Sequence, residues 1–166
     1  MATFMVTLDA TIANVALPHM QSSVSASLEQ IVWVLTSYLI AEAIATPLSA
    51  WLAGRYGRKT IMVISVIGFT VFSAACGAAG GLISLVVFRA LQGAFGAALV
   101  PLSQAVLLDI NPPARHGQAM AIYGLGAMLG PVIGPLLGGL LTDALSWRWV
   151  FLINLPFGVL SCLGMI

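Results

Sequence analysis

Asp9, Glu42 and Arg89 are ionisable, and each interrupts an otherwise apolar run. Such charges at membrane depth cost a few kcal/mol each and so mark ion or substrate pathways. The chemistry open to them is reversible proton binding. Desolvation favours the protonated form of a buried carboxylate and a nearby cation favours the ionised form, so moving the cation switches proton affinity. On this reading Asp9 titrates and Arg89 tunes it; the alternative is a structural ion pair that fixes helix contacts. Glu42 reads either as a second proton site or partner for a cationic compound, or as a glutamate held by Tyr38 or Thr46 one turn away.

The surrounding composition says why these charges are informative. Of 166 residues, 60% are hydrophobic and 7% charged, and the mean hydropathy is +1.07. A soluble domain carries about a quarter charged residues, so the solvent here is lipid. A net charge of +1 offers no basic patch for nucleic acid. Cys76 and Cys162 fall in apolar runs without metal-ligand spacing and read as small packing residues. No Gly-x-Ser-x-Gly sequence or His/Glu zinc spacing supports an intramembrane hydrolase. Met1–Pro18 lacks the basic start and cleavage pattern of a signal peptide. His19 and His116 sit at span edges, where a solvated histidine is the ordinary reading.

The elements that must position the charges are membrane helices, each needing roughly 20 residues to cross a ~30 Å core. The predicted fold is an all-α membrane protein with about six spans, at 2–18, 31–53, 60–79, 82–108, 118–141 and 149–166. Gln21–Gln30 reads as a loop or interfacial helix. The loop between the second and third spans holds Arg55, Arg58 and Lys59, and Arg115 lies between the fourth and fifth, whereas the other face has only Arg148. The positive-inside bias therefore places both ends in the cytoplasm. Trp147, Trp149 and Phe151 would form an interfacial belt on the outer side. At 1.5 Å rise per residue, Asp9, Glu42 and Arg89 lie roughly 13, 16 and 10 Å below the outer boundary, close enough in depth to share a cavity.

Five blocks are more specific. They are Leu8–Pro18 (LDATIANVALP), Trp51–Lys59 (WLAGRYGRK), Arg89–Gly93 with Gly96, Gly126–Gly139 (GAMLGPVIGPLLGG) and Trp147–Pro156 (WRWVFLINLP). In this order they resemble the EmrB/QacA-type drug:proton antiporters, the fourteen-helix branch of the major facilitator superfamily. The resemblance implies a six-helix half-domain built of two inverted three-helix repeats, the amino-terminal portion of a longer transporter. The implied function is proton-coupled efflux of amphipathic drug-like compounds across the inner membrane. Uptake of a nutrient or export of a siderophore is the alternative within transporters, with a channel or structural membrane protein the remaining class.

The same resemblance implies roles. Asp9, Glu42 and Arg89 would couple protons, and Met5, Tyr38, Gln92 and Phe95 are candidates to line a substrate cavity among the first, second, fourth and fifth spans. Arg55, Gly57, Arg58, Lys59 and Asp109 would form the cytoplasmic gate, with Arg58 pairing with Asp109. Gly54 stands where the family pattern has an aspartate, which removes the anion of the family's cytoplasmic latch. Gly126, Gly130, Pro131, Gly134, Pro135 and Gly138 form the antiporter stripe, a kinked face for close helix approach. A large side chain at Gly130 or Gly134 should then stop coupled transport while insertion survives. No cofactor is implied beyond the proton gradient. Expected partners are membrane lipid, protons and a small-molecule substrate, and in some relatives a periplasmic adaptor and outer-membrane channel.

Overall fold

The computed structural model describes residues 1–165. Helices α1 (Ala2–Ser23), α2 (Leu28–Tyr56) and α3 (Arg58–Gly77) are followed by a broken pair, α4 (Leu82–Gly96) and α5 (Leu99–Asp109). Next come α6 (His116–Ala144) and a second broken pair, α7 (Trp149–Leu152) and α8 (Asn154–Leu163). Counting each broken pair as one rod gives a six-rod bundle, and no strand occurs among the described residues. Leu28–Tyr56, Arg58–Gly77, Leu82–Ile110 and Pro113–Ala144 are long and apolar enough to cross a membrane. Trp149–Leu163 is a shorter apolar stretch.

Two helix ends differ from the sequence expectation. Pro18 lies inside α1, which continues to Ser23, because a membrane helix packed in a bundle tolerates the loss of one backbone N–H donor. α2 begins at Leu28 rather than Ile31. Ser27 and Gln30 form a reciprocal capping box in which the Ser27 hydroxyl accepts from the Gln30 N–H and the Ser27 N–H donates to Gln30 Oε1. Two orphan donors are thereby satisfied at the first turn. Of the stretch 21–30, expected as a loop or interfacial helix, 21–23 and 28–30 are helical and only the residues between them form a turn.

α1 is the buried axis of the bundle. Met5, Asp9, Ile12, Ala16 and Met20 recur at helical spacing, and all are buried. Leu8, Ile12, Ala16 and Met20 join Val34, Cys76, Leu85 and Phe151 in one core cluster. The neighbour along one side is α6, where glycines remove the side chains that would hold the helices apart. A Cβ on Gly130 would lie 2.2 Å from Thr7 Oγ1, and one on Gly134 2.1 Å from Thr11 Oγ1. Gly138 faces Val15, and the Thr11 hydroxyl also reaches Gly130 O at 3.3 Å.

Gly126 departs from this stripe, since nothing lies within 4 Å of its missing Cβ. Residues four apart drift by about 40° per step on a helix of 3.6 residues per turn, which rotates Gly126 off the contact. Pro131 and Pro135 are exposed on the far side of α6. The structure therefore separates two substitutions that the sequence groups together. Gly126→Ala should leave stability unchanged or raise it by up to about 1 kcal/mol through helix propensity. Gly134→Ala should destabilise, by about 1–3 kcal/mol for an overpacked contact. Thermal unfolding of the complete protein in detergent measures both.

Two further expectations are corrected, those for the aromatic belt and for His116. Trp147 and Phe151 are 5% and 0% exposed and sit in the core rather than an interfacial belt, leaving Trp149 as the exposed ring at 47%. Between them, Arg148 donates to Gly77 O at 3.5 Å and Ala79 O at 3.3 Å, capping the end of α3. His116 is not a loosely solvated loop residue, because its Nε2 lies 3.1 Å from Leu108 O and 2.9 Å from Asn111 O. It therefore ties the end of α5 to the start of α6. His19 stands 3.5 Å from Asp143 near the C-terminal ends of α1 and α6.

Candidate functional site

Asp9 and Arg89 meet in the centre of the bundle. α1 carries Asp9 on its buried stripe, and α4 carries Arg89 and Gln92 three residues apart on the face it buries, a spacing that places both on one side of a helix. Asp9 and Arg89 are each 1% exposed, and Gln92 is 0%. The guanidinium Nη1 donates to Asp9 Oδ2 at 2.6 Å and to Gln92 Oε1 at 2.9 Å. The other carboxylate oxygen, Oδ1, accepts from Gln92 Nε2 at 3.0 Å and from Asn154 Nδ2 at 2.7 Å. A buried ion pair persists only when its remaining lone pairs and protons are also satisfied, and these contacts supply that.

Other helices close the site. From α2, Val34 O accepts from Arg89 Nε at 3.4 Å, and the Tyr38 ring lies 4.3 Å from the guanidinium carbon. The Phe151 ring of α7 lies 5.5 Å from the same carbon. Weakly hydrated guanidinium suits such stacking on aromatic faces. From α3, Ser73 accepts from Asn154 Nδ2 at 3.0 Å while donating to Phe151 O at 2.8 Å. Cys76 Sγ approaches Gln92 Oε1 at 3.6 Å.

Tyr38 can lie beneath Arg89 because α2 and α4 cross at Gly93. A Cβ there would stand 2.4 Å from Tyr38 O and 3.0 Å from Tyr38 Cα.

The other candidates fall elsewhere. Glu42 is half-buried one turn beyond Tyr38 and is not hydrogen-bonded to the Asp9–Arg89 pair. Neither hydroxyl expected to hold its carboxylate does so. Thr46 donates to the Glu42 backbone carbonyl at 2.7 Å, and Tyr38 OH is buried without a partner. Of the four cavity candidates, Met5 and Tyr38 share one apolar core against which Phe95 packs, while Gln92 joins Asp9. Tyr38 also borders the charge cluster, and Met5 is fully buried in the core with Tyr38, Val66, Phe69 and Leu99. Phe95 stacks on Phe72 with centroids 5.5 Å apart and borders a cleft of about 190 Å³ with Leu52 and Ile64.

A roomier cleft of about 460 Å³ opens between α1, α5 and α6, lined by Thr3, Phe4, Ser103, Leu107 and Tyr123 among others. Thr3 Oγ1 donates to Tyr123 OH at 3.2 Å across it. Thr3, Tyr123, Ser73 and Asn154 were not singled out from sequence. An amide or hydroxyl isolated in an apolar run was the signal available for each.

In the turn between α2 and α3, Gly57 has φ +89°, a left-handed conformation that glycine adopts without strain. Arg58 forms an ion pair with Asp109 of α5, both side chains about half exposed. The Arg55 guanidinium lies over the rings of Trp51 and Tyr56, 5.7 and 5.9 Å from their centroids. Lys59 sits exposed in the first turn of α3. Gly54, which replaces the latch aspartate, has open space around it.

Comparison with known proteins decides what kind of bundle this is. The family model described as Major Facilitator Superfamily matches residues 1–166. The chain belongs to the Major Facilitator Superfamily. Among curated proteins it is 43% identical over 159 residues to "Multidrug export protein EmrB" of Haemophilus influenzae, covering 96% of this chain and 31% of that protein. With EmrB of Escherichia coli (strain K12) the identity is 44%, over the same shares of each chain. "Fatty acid resistance protein FarB" of Neisseria gonorrhoeae is 42% identical over 161 residues, covering 97% of this chain and 32% of that protein.

The chain thus spans about a third of the length of the curated relatives it matches. Among solved structures, the inward-open xylose transporter XylE from E. coli superposes with TM-score 0.84 at 15% identity, over 99% of this chain and 45% of that one. A bacterial homologue of the human lysosomal transporter Spinster, inward-facing and unoccupied, gives TM-score 0.83 at 24% identity, over 99% of this chain and 40% of that one. Both likenesses concern the fold. Membership of this transporter superfamily, with its long apolar helices, makes the chain a multi-pass membrane protein.

Proposed function

We propose that this bundle is the proton-handling half-domain of a transporter that exports amphipathic, drug-like compounds from the cytoplasm in exchange for protons. One observation carries the reading: Asp9 of α1, sealed from solvent in the bundle centre, is held by a guanidinium and a side-chain amide of α4 and by a second amide from α8. A carboxylate that takes up a proton here changes its bonding to α4 and α8 at once, so its protonation state can bias how α1 sits against both. The names of the relatives, multidrug export and fatty acid resistance, support an amphipathic cargo.

Proton entry from the outer side neutralises Asp9 and frees Arg89 to relax toward Tyr38 and Val34. Proton loss toward the cytoplasm restores the pair. Each proton crossing 100 mV contributes about 2.3 kcal/mol, which biases a two-state bundle without any cofactor. Glu42, half-buried on α2, is the second carboxylate available to protons or to a cationic cargo. The cleft between α1, α5 and α6 offers one wall of the cargo path, with hydroxyls of Thr3 and Tyr123 among apolar side chains.

Alternating access needs a second bundle, and the relatives' greater length accommodates one. The Arg58–Asp109 pair acts at the cytoplasmic gate, and the α1–α6 glycine contact at Gly130, Gly134 and Gly138 seals the opposite movement. The Lys/Arg bias supports cytoplasmic ends in an inner membrane. A periplasmic adaptor and an outer-membrane channel would complete the export route.

The test uses ethidium as cargo in everted membrane vesicles containing the complete protein. Ethidium should accumulate while the vesicle interior is acidic and stop when nigericin collapses the pH gradient. Accumulation that survives gradient collapse contradicts proton coupling.

A further inference from the structure

Among the side chains hydrogen-bonded to Asp9, Asn154 has unbalanced hydrogen bonding. Asn154 makes both of its contacts through a single atom: Nδ2 donates to Asp9 Oδ1 at 2.7 Å and to Ser73 Oγ at 3.0 Å. Its Oδ1 is buried and has no partner. An unsatisfied buried acceptor costs about 1–3 kcal/mol, so its retention at a charged centre asks for a reason.

Protonation of Asp9 supplies one. Oδ1 of Asp9 now accepts from two amides, Gln92 and Asn154. A proton placed on that oxygen would point at an N–H, so one amide has to turn and present its oxygen. Gln92 is fixed, because its Oε1 accepts from Arg89 Nη1 at 2.9 Å and from Cys76 Sγ at 3.6 Å. Asn154 has nothing on Oδ1 to break. It gives up its two Nδ2 bonds, but the protonated Asp9 then donates to its oxygen, and the Ser73 hydroxyl stands in place to donate to that oxygen instead of to Phe151 O.

We propose that Asn154 is a positioning residue that follows the protonation state of Asp9 by turning its side-chain amide, resting on the reading of Asp9 as the proton site. With Asp9 ionised, Nδ2–H donates to the carboxylate. With Asp9 neutral, the new O–H donates to Asn154 Oδ1, and Arg89 loses its anion. Asp9 stays tied to α8, and through Ser73 to α3, in both states, while its tie to α4 weakens. Proton binding is thereby converted into a difference between helices.

The titratable and charged groups facing Asp9 from the helices around it are Arg89 of α4, Tyr38 and the more distant Glu42 of α2, and Cys76 of α3. None of them replaces Asn154. Arg89 offers donors only, and neither Tyr38, Glu42 nor Cys76 is hydrogen-bonded to Asp9.

Infrared difference spectra of the complete protein, recorded as the pH is stepped, test this. The carboxylic C=O band absent from Asp9→Asn is the Asp9 band. In Asn154→Leu it should move to higher wavenumber, because the protonated carboxyl has lost its acceptor. Asn154→Ser, smaller and polar, should give the same direction because its hydroxyl is too short to reach, and it serves where the leucine variant does not fold. A band in its wild-type place in either folded variant overturns the role of Asn154. A full set of bands in Asp9→Asn overturns the proton-site reading instead, so the two failures are told apart.

Discussion

Asp9→Ala is expected to destabilise the complete protein by about 3–5 kcal/mol, because it leaves the Arg89 guanidinium buried without its anion. Arg89 is 1% exposed and cannot swing into water without opening the α1–α4 contact. Gln92 and Val34 O would still accept from it, but neither carries charge. Removing both charges should behave differently. Buried pairs replaced by apolar residues of similar volume are often neutral or more stable, so Asp9→Leu with Arg89→Leu should recover most of the lost stability. Gradient-driven efflux should remain absent in the double variant. A transporter restored to both stability and coupling would show that the pair is structural only. Thermal unfolding in detergent and ethidium uptake in everted vesicles read the two properties separately.

Gly93→Ala is expected to cost as much as an overpacked core substitution, about 1–3 kcal/mol or more, and to abolish transport. The added carbon would stand 2.4 Å from a backbone carbonyl oxygen, Tyr38 O. A flexible side chain could move aside; the main chain of α2 cannot do so locally. The helices must separate, and that lifts the Tyr38 ring, now 4.3 Å from the Arg89 guanidinium carbon, away from its cation. Truncating the ring with Tyr38→Ala should not restore Gly93→Ala, since the obstruction is carbonyl and Cα rather than side chain. Rescue by that truncation, measured as unfolding temperature, would contradict this account of the crossing.

The Asp9–Arg89 pairing was legible in the sequence because each charge in an apolar helix demands a partner, and depth along the helix limited the choices. Depth did not give azimuth. Glu42 lies at a similar depth yet is not bonded to the pair, and Met5 is turned into a core rather than a cavity. Period-four spacing suggested a continuous glycine stripe on α6, but drift around the helix removes Gly126 from the contact that Gly130, Gly134 and Gly138 make.

Asn154 escaped notice for a different reason. An uncharged amide imposes a small penalty in an apolar segment, so sequence alone does not demand a partner for it. The α7–α8 region that carries it also supplies Phe151, whose expected interfacial place turned out to be core. Likewise His116 looked like a solvated loop residue because the carbonyls it meets, Leu108 O and Asn111 O, are backbone groups of a helix end whose position only the fold fixes.

Proton release on cargo binding tests the central claim most directly. The complete protein, in weakly buffered detergent solution, is mixed with ethidium while the pH of the medium is followed, alongside its Asp9→Asn and Glu42→Gln variants. Wild-type protein should acidify the medium on mixing, and Asp9→Asn should release no protons or far fewer, with Glu42→Gln reporting whether a second carboxylate contributes. Release of the wild-type amount from both variants would contradict a proton site at the buried aspartate.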